Sequence, residues 1–270
     1  MSDKIRADIA LVQQKLCESR ERAQAAIMEG RVFLGDRRIN KPSESIGIQD
    51  KLILKTSQTE YVSRGALKLE KAVNVFSADL QDRVIMDIGS STGGFTDVCL
   101  HMGARKVYSI DVGYGQLDWK LRNDPRVVVM ERTNARYLEK DMFPETPEIT
   151  VMDVSFISIR LILPAAAGIM GDDGVFYTLI KPQFEAGKEK VGKKGVVRDP
   201  AVHLEVVENI VAFSRELGFA VRGLTFSPVK GPEGNIEYLV WLCKGRVEGN
   251  EIEASLAGEV VQEAHAALDK

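Results

Sequence analysis

Two lysines and two acids, Lys68, Asp153, Lys181 and Glu237, are the side chains of this 270-residue chain whose positions most favour chemistry. Asp153 and Lys181 each follow an apolar segment typical of a buried strand, and Glu237 precedes another such segment. A lysine between carboxylates can orient a hydroxyl group and, if it is neutral part of the time, accept its proton. Each residue alone can also be an exposed or capping side chain. A reactive site is therefore predicted only if the fold brings all four together.

A ligand-binding turn is predicted at 87–95, which reads DIGSSTGGF between a predicted strand and a predicted helix. Glycines in such a turn let the backbone approach a nucleotide-like ligand, and Asp111, 22 residues after Gly89, is placed to bind ribose hydroxyls. Taken alone, the pattern also fits a dinucleotide site or a turn needed only for packing. Ser91 replaces the second glycine of the dinucleotide fingerprint, however, and Asp87 precedes the turn. These departures favour S-adenosylmethionine, a cofactor without phosphate.

The elements that position these residues alternate between strand and helix from about residue 61. Apolar segments predict strands at 84–88, 107–110, 127–130, 149–152, 175–180, 220–226 and 238–243, and helices at 63–76, 94–102, 159–167 and 203–217. This order predicts an α/β fold with a doubly wound, seven-stranded sheet whose last strand is antiparallel, the architecture of class I methyltransferases. Ligands bind at the carboxyl edge of such sheets, where all four polar residues are expected to meet.

Two shorter regions flank this predicted domain of residues 61–245. Residues 1–60 predict a small α+β domain with helices near 6–16 and 19–29 and strands at 32–34, 37–39 and 51–54. Residues 246–270 hold two basic and six acidic side chains, with apolar residues at four-residue spacing. They predict an acidic C-terminal helix or tail that packs on the body or on a partner.

Composition and charge exclude several classes of protein. A hydrophobic fraction of 44% and a charged fraction of 28% exclude disorder and collagen, and a net charge of −3 excludes a polycation. The three cysteines are far apart, so neither a disulfide framework nor a metal site is expected. No secretion signal or membrane span is found, and we expect a cytoplasmic protein.

Basic residues nevertheless cluster in two places, which suggests local contact with a polyanion such as nucleic acid. One cluster is formed by arginines 20, 22, 31, 37 and 38. The other spans 181–198, with six basic residues, two glutamates and three glycines. This segment is long for a simple connection, and we interpret it as a lid over a substrate. The alternative for both clusters is an ordinary solvated surface.

The first cluster lies in RADIALVQQKLCESRERAQAAIMEGRVFLGDRRINKPSESI, which resembles the S-four RNA-binding domain. In that family the second helix and the following turn face RNA. The resemblance therefore implies that RNA contacts Arg20, Arg22, Arg31, Arg37 and Arg38. Guanidinium groups suit this role because they bind phosphates through paired donors and stack on bases.

The order Lys68, Asp153, Lys181, Glu237 resembles the tetrad of the FtsJ-like ribose 2'-O-methyltransferases. The stretches YVSRGALKL, DIGSSTGGFTD, IDVGYGQLDWKLR, ERTNAR, MDVSFIS, LIKPQFEAG, GVVRDP and SPVKGPEGNIEYL extend the likeness to the TlyA family, also called hemolysin A, over residues 4–244. Members of that family join an S-four domain to such a methyltransferase.

The resemblance implies S-adenosylmethionine-dependent 2'-O-methylation of cytidine in ribosomal RNA of the small or large subunit, with the tetrad as catalytic residues. Cofactor contacts are expected from Asp87, Gly89, Ser91, Gly93, Gly94, Phe95, Asp111, Asn134 and Asp153. Further RNA contacts are expected from Arg64, Lys188, Lys190, Lys193 and Lys194. A non-catalytic ribosome-binding protein and a membrane-active hemolysin are the alternatives. The intact tetrad argues against the first, and the lack of a suitably apolar amphipathic segment argues against the second.

Overall fold

The chain folds into two units, Met1–Glu60 and Tyr61–Lys270, each with its own hydrophobic core. The structure is a computed structural model, and it describes residues 4–17, 19–28, 30–35, 37–54, 61–245 and 251–269. The two units are described separately below.

The small unit packs two helices against short strands. Its elements are β1 (Lys4–Arg6), α1 (Ala7–Gln13), α2 (Arg20–Met28), β2 (Val32–Leu34), β3 (Arg37–Arg38), β4 (Ser45–Gly47) and β5 (Leu52–Leu54). Strand β2 pairs with β3 and β5, and β1 pairs with β4, all antiparallel. Buried Leu11 of α1 and Ile27 of α2 lie in the same core. Strands β1 and β4 were not predicted, because each contains a single apolar residue, Ile5 or Ile46, and so gives no apolar pattern.

The large unit alternates strands and helices. Its elements are α3 (Ala66–Phe76), β6 (Val84–Ile88), α4 (Gly94–His101), β7 (Lys106–Ile110), α5 (Trp119–Arg122), β8 (Val127–Met130), β9 (Ile149–Met152), α6 (Leu163–Ile169), β10 (Val175–Ile180), α7 (Pro182–Glu185), α8 (Pro200–Glu216), β11 (Phe219–Phe226), β12 (Tyr238–Lys244) and α9 (Leu256–Leu268). Short 3₁₀ turns lie at Ala135–Tyr137, Lys140–Met142, Ile159–Leu161 and Lys188–Lys190.

In the described part of this unit, seven strands form one sheet in the order β11-β12-β10-β9-β6-β7-β8. Strands β10, β9, β6, β7 and β8 pair in parallel, whereas β12 is antiparallel to both of its neighbours. Side chains alternate along β6, so that Met86 and Ile88 enter one core while Ile85 enters the core on the opposite face. The predicted doubly wound α/β sheet with an antiparallel last strand is confirmed.

Three predicted helices differ from the observed ones at their first turns. The helix predicted at 159–167 is a 3₁₀ turn followed by α6, because Pro164 fits only the first turn of an α-helix. The helix predicted from residue 63 begins at Ala66. Helix α8 begins earlier than predicted, at Pro200, where the Asp199 side chain accepts a hydrogen bond from the Ala201 N–H.

The acidic C-terminal region contains α9, which packs against α8 and β11. Its buried face consists of Ala257, Val260, Val261 and Ala264, and all four belong to the core that covers one face of the sheet. Among the described residues, no helix combines the length and apolar character needed to cross a membrane.

Candidate active site

The four tetrad residues meet at the carboxyl edge of the sheet. The Lys68 ammonium lies 3.1 Å from Asp153 Oδ2 and 2.6 Å from Glu237 Oε2. The Lys181 ammonium lies 2.5 Å from Asp153 Oδ1 and donates a hydrogen bond of 2.9 Å to Ser155 Oγ. Asp153 therefore bridges two ammonium groups, and Lys68 bridges two carboxylates.

Strand direction explains this convergence. Asp153 follows β9 and Lys181 follows β10, and these parallel neighbours end at the same edge. Glu237 immediately precedes β12, which is antiparallel and so begins at that edge. Lys68 lies in the first turn of α3, and its side chain extends to the same edge.

A close backbone approach brings the glycine turn onto Asp153. Gly89 has a φ of +85°, and a Cβ at this position would lie 2.6 Å from the Asp153 carbonyl oxygen. Any other residue would be strained and would push the turn away. The Gly89 and Ser90 N–H groups also bond to the Ile110 carbonyl oxygen, which ties the turn to β7.

Burial and charge oppose each other at the tetrad. Burial by itself lowers the pKa of Lys68, but Asp153 and Glu237 outweigh it and hold the pKa above its ordinary value. Burial likewise raises the pKa of Asp153, yet the two lysines hold it below the ordinary value. Lys68 and Asp153 are thus charged at neutral pH, and a substitution that removes either one would leave the other with only one of its two opposite charges.

Two adjoining cavities open at the tetrad and share Gly89, Ser91, Asp153 and Ser155 in their walls. The larger has a volume of about 350 Å³, and much of its wall is apolar: Ile88, Ile110, Val112, Ala135, Val154, Phe156, Ile157 and Ile162. The smaller has a volume of about 200 Å³ and contains Lys68 and Lys181. Asp153 therefore lies between an apolar compartment and a charged one.

Asp111 and Asn134, both predicted to bind the cofactor, line the larger cavity. Asp111 accepts hydrogen bonds from the Ser91 N–H at 2.8 Å and the Gly113 N–H at 2.7 Å, one on each carboxylate oxygen. The Asn134 side chain accepts a bond from the Arg136 N–H. Because each Asp111 oxygen has a second lone pair, the carboxylate is oriented and still able to accept two ribose hydroxyls. An apolar cavity of this size with such a carboxylate fits a nucleoside.

Asp87 and Gly93, also predicted to bind the cofactor, line neither cavity. Asp87 is fully buried, and burial raises its pKa to about 7. Its Oδ2 accepts a bond of 2.6 Å from Thr96 Oγ, while its Oδ1 has no partner. A Cβ on Gly93 would lie 2.2 Å from Leu121. Asp87 points from the strand into the core, and Gly93 lies against Leu121. Both residues therefore support the turn from the side opposite the cavities.

Gly94 and Phe95 line the smaller cavity together with Ser63, Ser90 and Pro232. A Cβ on Gly94 would lie 2.4 Å from Ser63 Oγ, so this glycine permits the segment before α3 to approach α4. The residues predicted to bind the cofactor therefore divide into those that line a cavity and those that hold the lining residues in position.

Sequence reasoning missed two residues of the loop after β9. Ser155 accepts the bond from Lys181, and Phe156 is 90% exposed at the wall of the larger cavity with a φ of +63°. The Phe156 and Phe184 ring centroids lie 5.2 Å apart. Glu185 accepts bonds from Ser158 Oγ and the Ile159 N–H, which holds the loop against α7. Their positions two and three residues after Asp153, which follows β9, were the available signal.

The predicted RNA-contacting arginines of the small unit differ in their surroundings. Arg20 donates a bond of 3.1 Å to buried Asp8, and Arg37 pairs with Glu44. The Arg38 guanidinium lies against Gly30, where a Cβ would come within 1.9 Å of it. Arg22 and Arg38 are exposed, and Arg31 is half-buried.

The predicted lid is anchored at its end. Buried Val196 and Val197 precede α8, and the Val197 N–H donates a bond to Asn235 Oδ1. Lys190 pairs with Glu205 of α8 at 2.6 Å, so its charge is partly compensated. Among the remaining predicted contacts, Arg64, Lys188, Lys193 and Lys194 are exposed.

Within the ranges that the structure describes, no group of three or more histidine, cysteine or acidic side chains is arranged to hold a metal ion.

Two family models match the chain. The FtsJ-like methyltransferase model matches residues 61–244, and the S4 domain model matches residues 5–52. The chain is 49% identical to YqxC of Bacillus subtilis over 99% of its own length and 96% of that protein. It is 43% identical to TlyA of Mycobacterium tuberculosis, over 90% of this chain and 91% of TlyA. That relative is named a 16S/23S rRNA (cytidine-2'-O)-methyltransferase.

A solved structure from Streptococcus thermophilus that carries the hemolysin name is 46% identical to the chain. The match has a TM-score of 0.79 and covers 100% of this chain and 98% of that one.

Proposed function

Because the chain belongs to the FtsJ-like methyltransferases and, with its S4 domain, to the TlyA family, we propose that it methylates a ribose 2'-hydroxyl of ribosomal RNA with S-adenosylmethionine. The observation that carries this proposal is the tetrad at the wall between an apolar, nucleoside-sized cavity and a charged one. Such a wall is where a cofactor methyl group and an incoming hydroxyl would meet.

The larger cavity would hold the cofactor. Asp111 would accept the ribose hydroxyls, Gly89 and Ser91 would supply the backbone around them, and Asn134 would contact the adenine side. Asp87 and Gly93 would act from behind the turn. When bound, S-adenosylmethionine supplies an electrophilic methyl group to the hydroxyl.

Lys181 is the residue that would act on the substrate hydroxyl. Of its three N–H positions, Asp153 and Ser155 occupy two. The third is left for the 2'-hydroxyl, either as a donor that orients the oxygen or, when the amine is neutral, as the acceptor of its proton. Lys68 and Glu237 would hold Asp153 in position. Orientation by itself supplies a large part of the rate in a two-substrate transfer.

The substrate nucleoside would be cytidine, as in the names of the TlyA proteins of Mycobacterium tuberculosis and Campylobacter jejuni. The tetrad would contact the ribose and not the base, so a second contact must hold the base. Phe156 is an exposed ring held in a strained conformation beside the cavity, and it would stack on a base drawn out of its helix. The small unit and the basic segment 188–194 would bind the surrounding RNA. We propose that this activity takes place in the cytoplasm, where the ribosome is.

The two alternative functions lack a supporting observation. A non-catalytic ribosome-binding protein would not require three buried charges and a largely buried fourth, Asp153, paired with one another beside a cavity, since such charges are costly to assemble. A membrane-active hemolysin is not favoured by a match to the FtsJ-like model over residues 61–244.

The test is methyl transfer by the purified full chain to each ribosomal subunit, with labelled S-adenosylmethionine. Mass spectrometry of nuclease fragments should find 2'-O-methylcytidine, and Lys181→Met should give none while Lys140→Met, on an exposed lysine outside both cavities, retains turnover. Assembled subunits should be better substrates than short oligonucleotides, because both units bind the RNA. A methyl group on a base atom, or equal activity on a bare cytidine oligonucleotide, would contradict the proposal.

A further inference from the structure

A buried asparagine connects the end of the basic segment to the loop before β12. Asn235 is 2% exposed, and its side chain bonds two backbone groups that lie 38 and 40 residues earlier in the chain. Its Oδ1 accepts a hydrogen bond of 3.0 Å from the Val197 N–H. Its Nδ2 donates a bond of 2.9 Å to the Gly195 carbonyl oxygen. One side chain therefore holds the backbone of residues 195–197 at two points.

The two partners require an amide at position 235. A backbone N–H can only donate, and a carbonyl oxygen can only accept. A carboxylate would offer no donor to Gly195, and an apolar side chain of the same size would offer neither group. Val197 and Asn235 are both buried, so loss of the amide would leave the Val197 N–H without a partner and shielded from water.

On one side of Asn235 lies a closed turn, residues 192–196, which we call the basic turn. The Gly192 N–H bonds to the Val196 carbonyl oxygen at 3.1 Å, and the Gly195 N–H bonds to the Gly192 carbonyl oxygen at 2.8 Å. The turn carries Lys193 and Lys194, which are exposed. A cavity of about 380 Å³ beside the turn is lined by the basic residues 190, 193, 194 and 198, by one acid at 199, and by residues 192 and 196. This excess of positive charge suits a phosphate of RNA.

On the other side of Asn235 lies the loop that covers Glu237. The Asn235 carbonyl oxygen accepts a bond of 2.9 Å from the Gly231 N–H, which closes the loop. A Cβ on Gly231 would lie 2.7 Å from Glu237 Oε1, so the Gly231 backbone lies directly against this tetrad carboxylate. Pro232 of the same loop lines the smaller, charged cavity. The loop that Asn235 closes is therefore in contact with the tetrad.

We propose that Asn235 is a positioning residue that holds the basic turn at a fixed distance from the tetrad. RNA bound by Lys193 and Lys194 would then present its ribose to Lys181 in one orientation. This role rests on the proposed function, which assigns the basic segment to the RNA. A fixed distance matters because a displacement of about 1 Å can lower the rate of a two-substrate transfer about 10²-fold.

Hydrogen exchange of the wild-type full chain tests the connection without a substitution. The Val197 amide should exchange at least about 100-fold more slowly than the amides of Lys193 and Lys194, after correction for intrinsic rates, because its acceptor belongs to a loop fixed on the sheet. Equal exchange of the three amides would overturn the proposal.

Asn235→Leu keeps the size of the side chain and removes both bonds. The Val197 amide should exchange about tenfold faster than in the wild type, and kcat/KM for ribosomal subunits should fall about tenfold. The Kd for S-adenosylmethionine should stay the same, which shows that the cofactor cavity is still formed. Asn209→Leu, the same change at an exposed position of α8, is the matched control and should alter none of these values. Faster exchange at Val197 with an unchanged kcat/KM would overturn the positioning role.

A combined variant separates positioning of the basic turn from a general loss of stability. Lys193→Met with Lys194→Met should flatten the slope of log K against log salt for subunit binding by about one to two units. Asn235→Leu alone should flatten the slope in the same direction. Added to the two lysine substitutions, Asn235→Leu should lower kcat/KM by less than about twofold further, because it acts through the same contact. Effects of the asparagine and the lysines that multiply would overturn the proposal.

Failure of the proposed function would be recognised separately. A wild-type chain that methylates neither subunit would contradict that function, and the exchange rates and salt slopes would still decide the role of Asn235. An active wild type in which the effects multiply would contradict the role of Asn235 alone.

Discussion

Asp153 binds Lys181 through Oδ1 at 2.5 Å while its Oδ2 faces a second ammonium at 3.1 Å. Both oxygens of this carboxylate are therefore occupied, and the Lys181 side chain is held in one place. The Lys181 ammonium, which would meet the substrate, is therefore already held by contacts that exist in the free protein. Little reorganisation is then needed when a hydroxyl arrives, which is the condition under which charged groups contribute most to a rate.

Lys181→Met should abolish methyl transfer, because the variant keeps most of the side-chain volume and loses the group that meets the hydroxyl. We expect a fall in kcat of about 10²- to 10⁴-fold, with the Kd for S-adenosylmethionine changed only a few-fold. Rapid-quench assays and calorimetry on the same preparation measure the two effects. Near-normal turnover would exclude Lys181 from the mechanism, and Lys140→Met, on an exposed lysine outside both cavities, is the matched control.

Asp111→Ala should have the opposite effect and weaken cofactor binding. The ribose loses its carboxylate acceptor, and the Ser91 and Gly113 N–H groups lose the oxygens that hold them. With two hydrogen bonds of about 1 kcal/mol each, we expect the Kd to rise about 30-fold. Asp118→Ala, in a residue that caps α5, is the control. Unchanged affinity by calorimetry would remove Asp111 from the cofactor site.

Asp87 should make the large unit less stable as the pH rises. Its pKa is about 7 in the folded chain, above the ordinary value of 3.8, so between these values the folded form binds more protons than the unfolded form. Stability from this group is therefore complete below the unfolded pKa and is lost as the pH rises through about 7. Asp87→Asn removes the charge, and between pH 5.5 and 8 its stability should gain about 2 kcal/mol relative to the wild type.

Urea unfolding followed by tryptophan fluorescence measures this change. Both tryptophans, Trp119 and Trp241, lie in the large unit, so the signal reports that unit alone. The control is Asp173→Asn, which removes an exposed carboxylate. A difference between Asp87→Asn and the wild type that is the same at both pH values would show that Asp87 is ionised throughout.

RNA binding should depend on salt through the small unit. If Arg37 and Arg38 each contact a phosphate, replacing both by alanine should flatten the slope of log K against log salt by about one to two units. The Glu44 carboxylate that pairs with Arg37 would be displaced by the phosphate. Filter binding to ribosomal subunits at four salt concentrations gives the slope. Arg83→Ala with Arg105→Ala, on paired arginines before β6 and β7, should leave it unchanged, and an unchanged slope in the first variant would place the RNA elsewhere.

The order of strands and helices in the large unit could be predicted because hydrophobic periodicity is a local signal. Strands 84–88, 127–130, 149–152 and 175–180 have the predicted bounds. Strand direction then followed from the connections, and it was enough to predict that Asp153, Lys181 and Glu237 share one edge. A residue at the end of a buried parallel strand can lie only at that edge, whatever its neighbours are.

Tertiary structure alone decided which side chains contact one another. The pairing of Lys68 with two carboxylates, the full burial of Asp87 and the approach of His265 to His203 join residues far apart in the chain. The type of residue at a position does not identify its partner. Hydrogen bonds and burial depend on distances through space, and those distances result from the packing of many distant segments. The sequence therefore determined where polar groups could gather, and packing determined which of them hold a proton, a partner or a ligand.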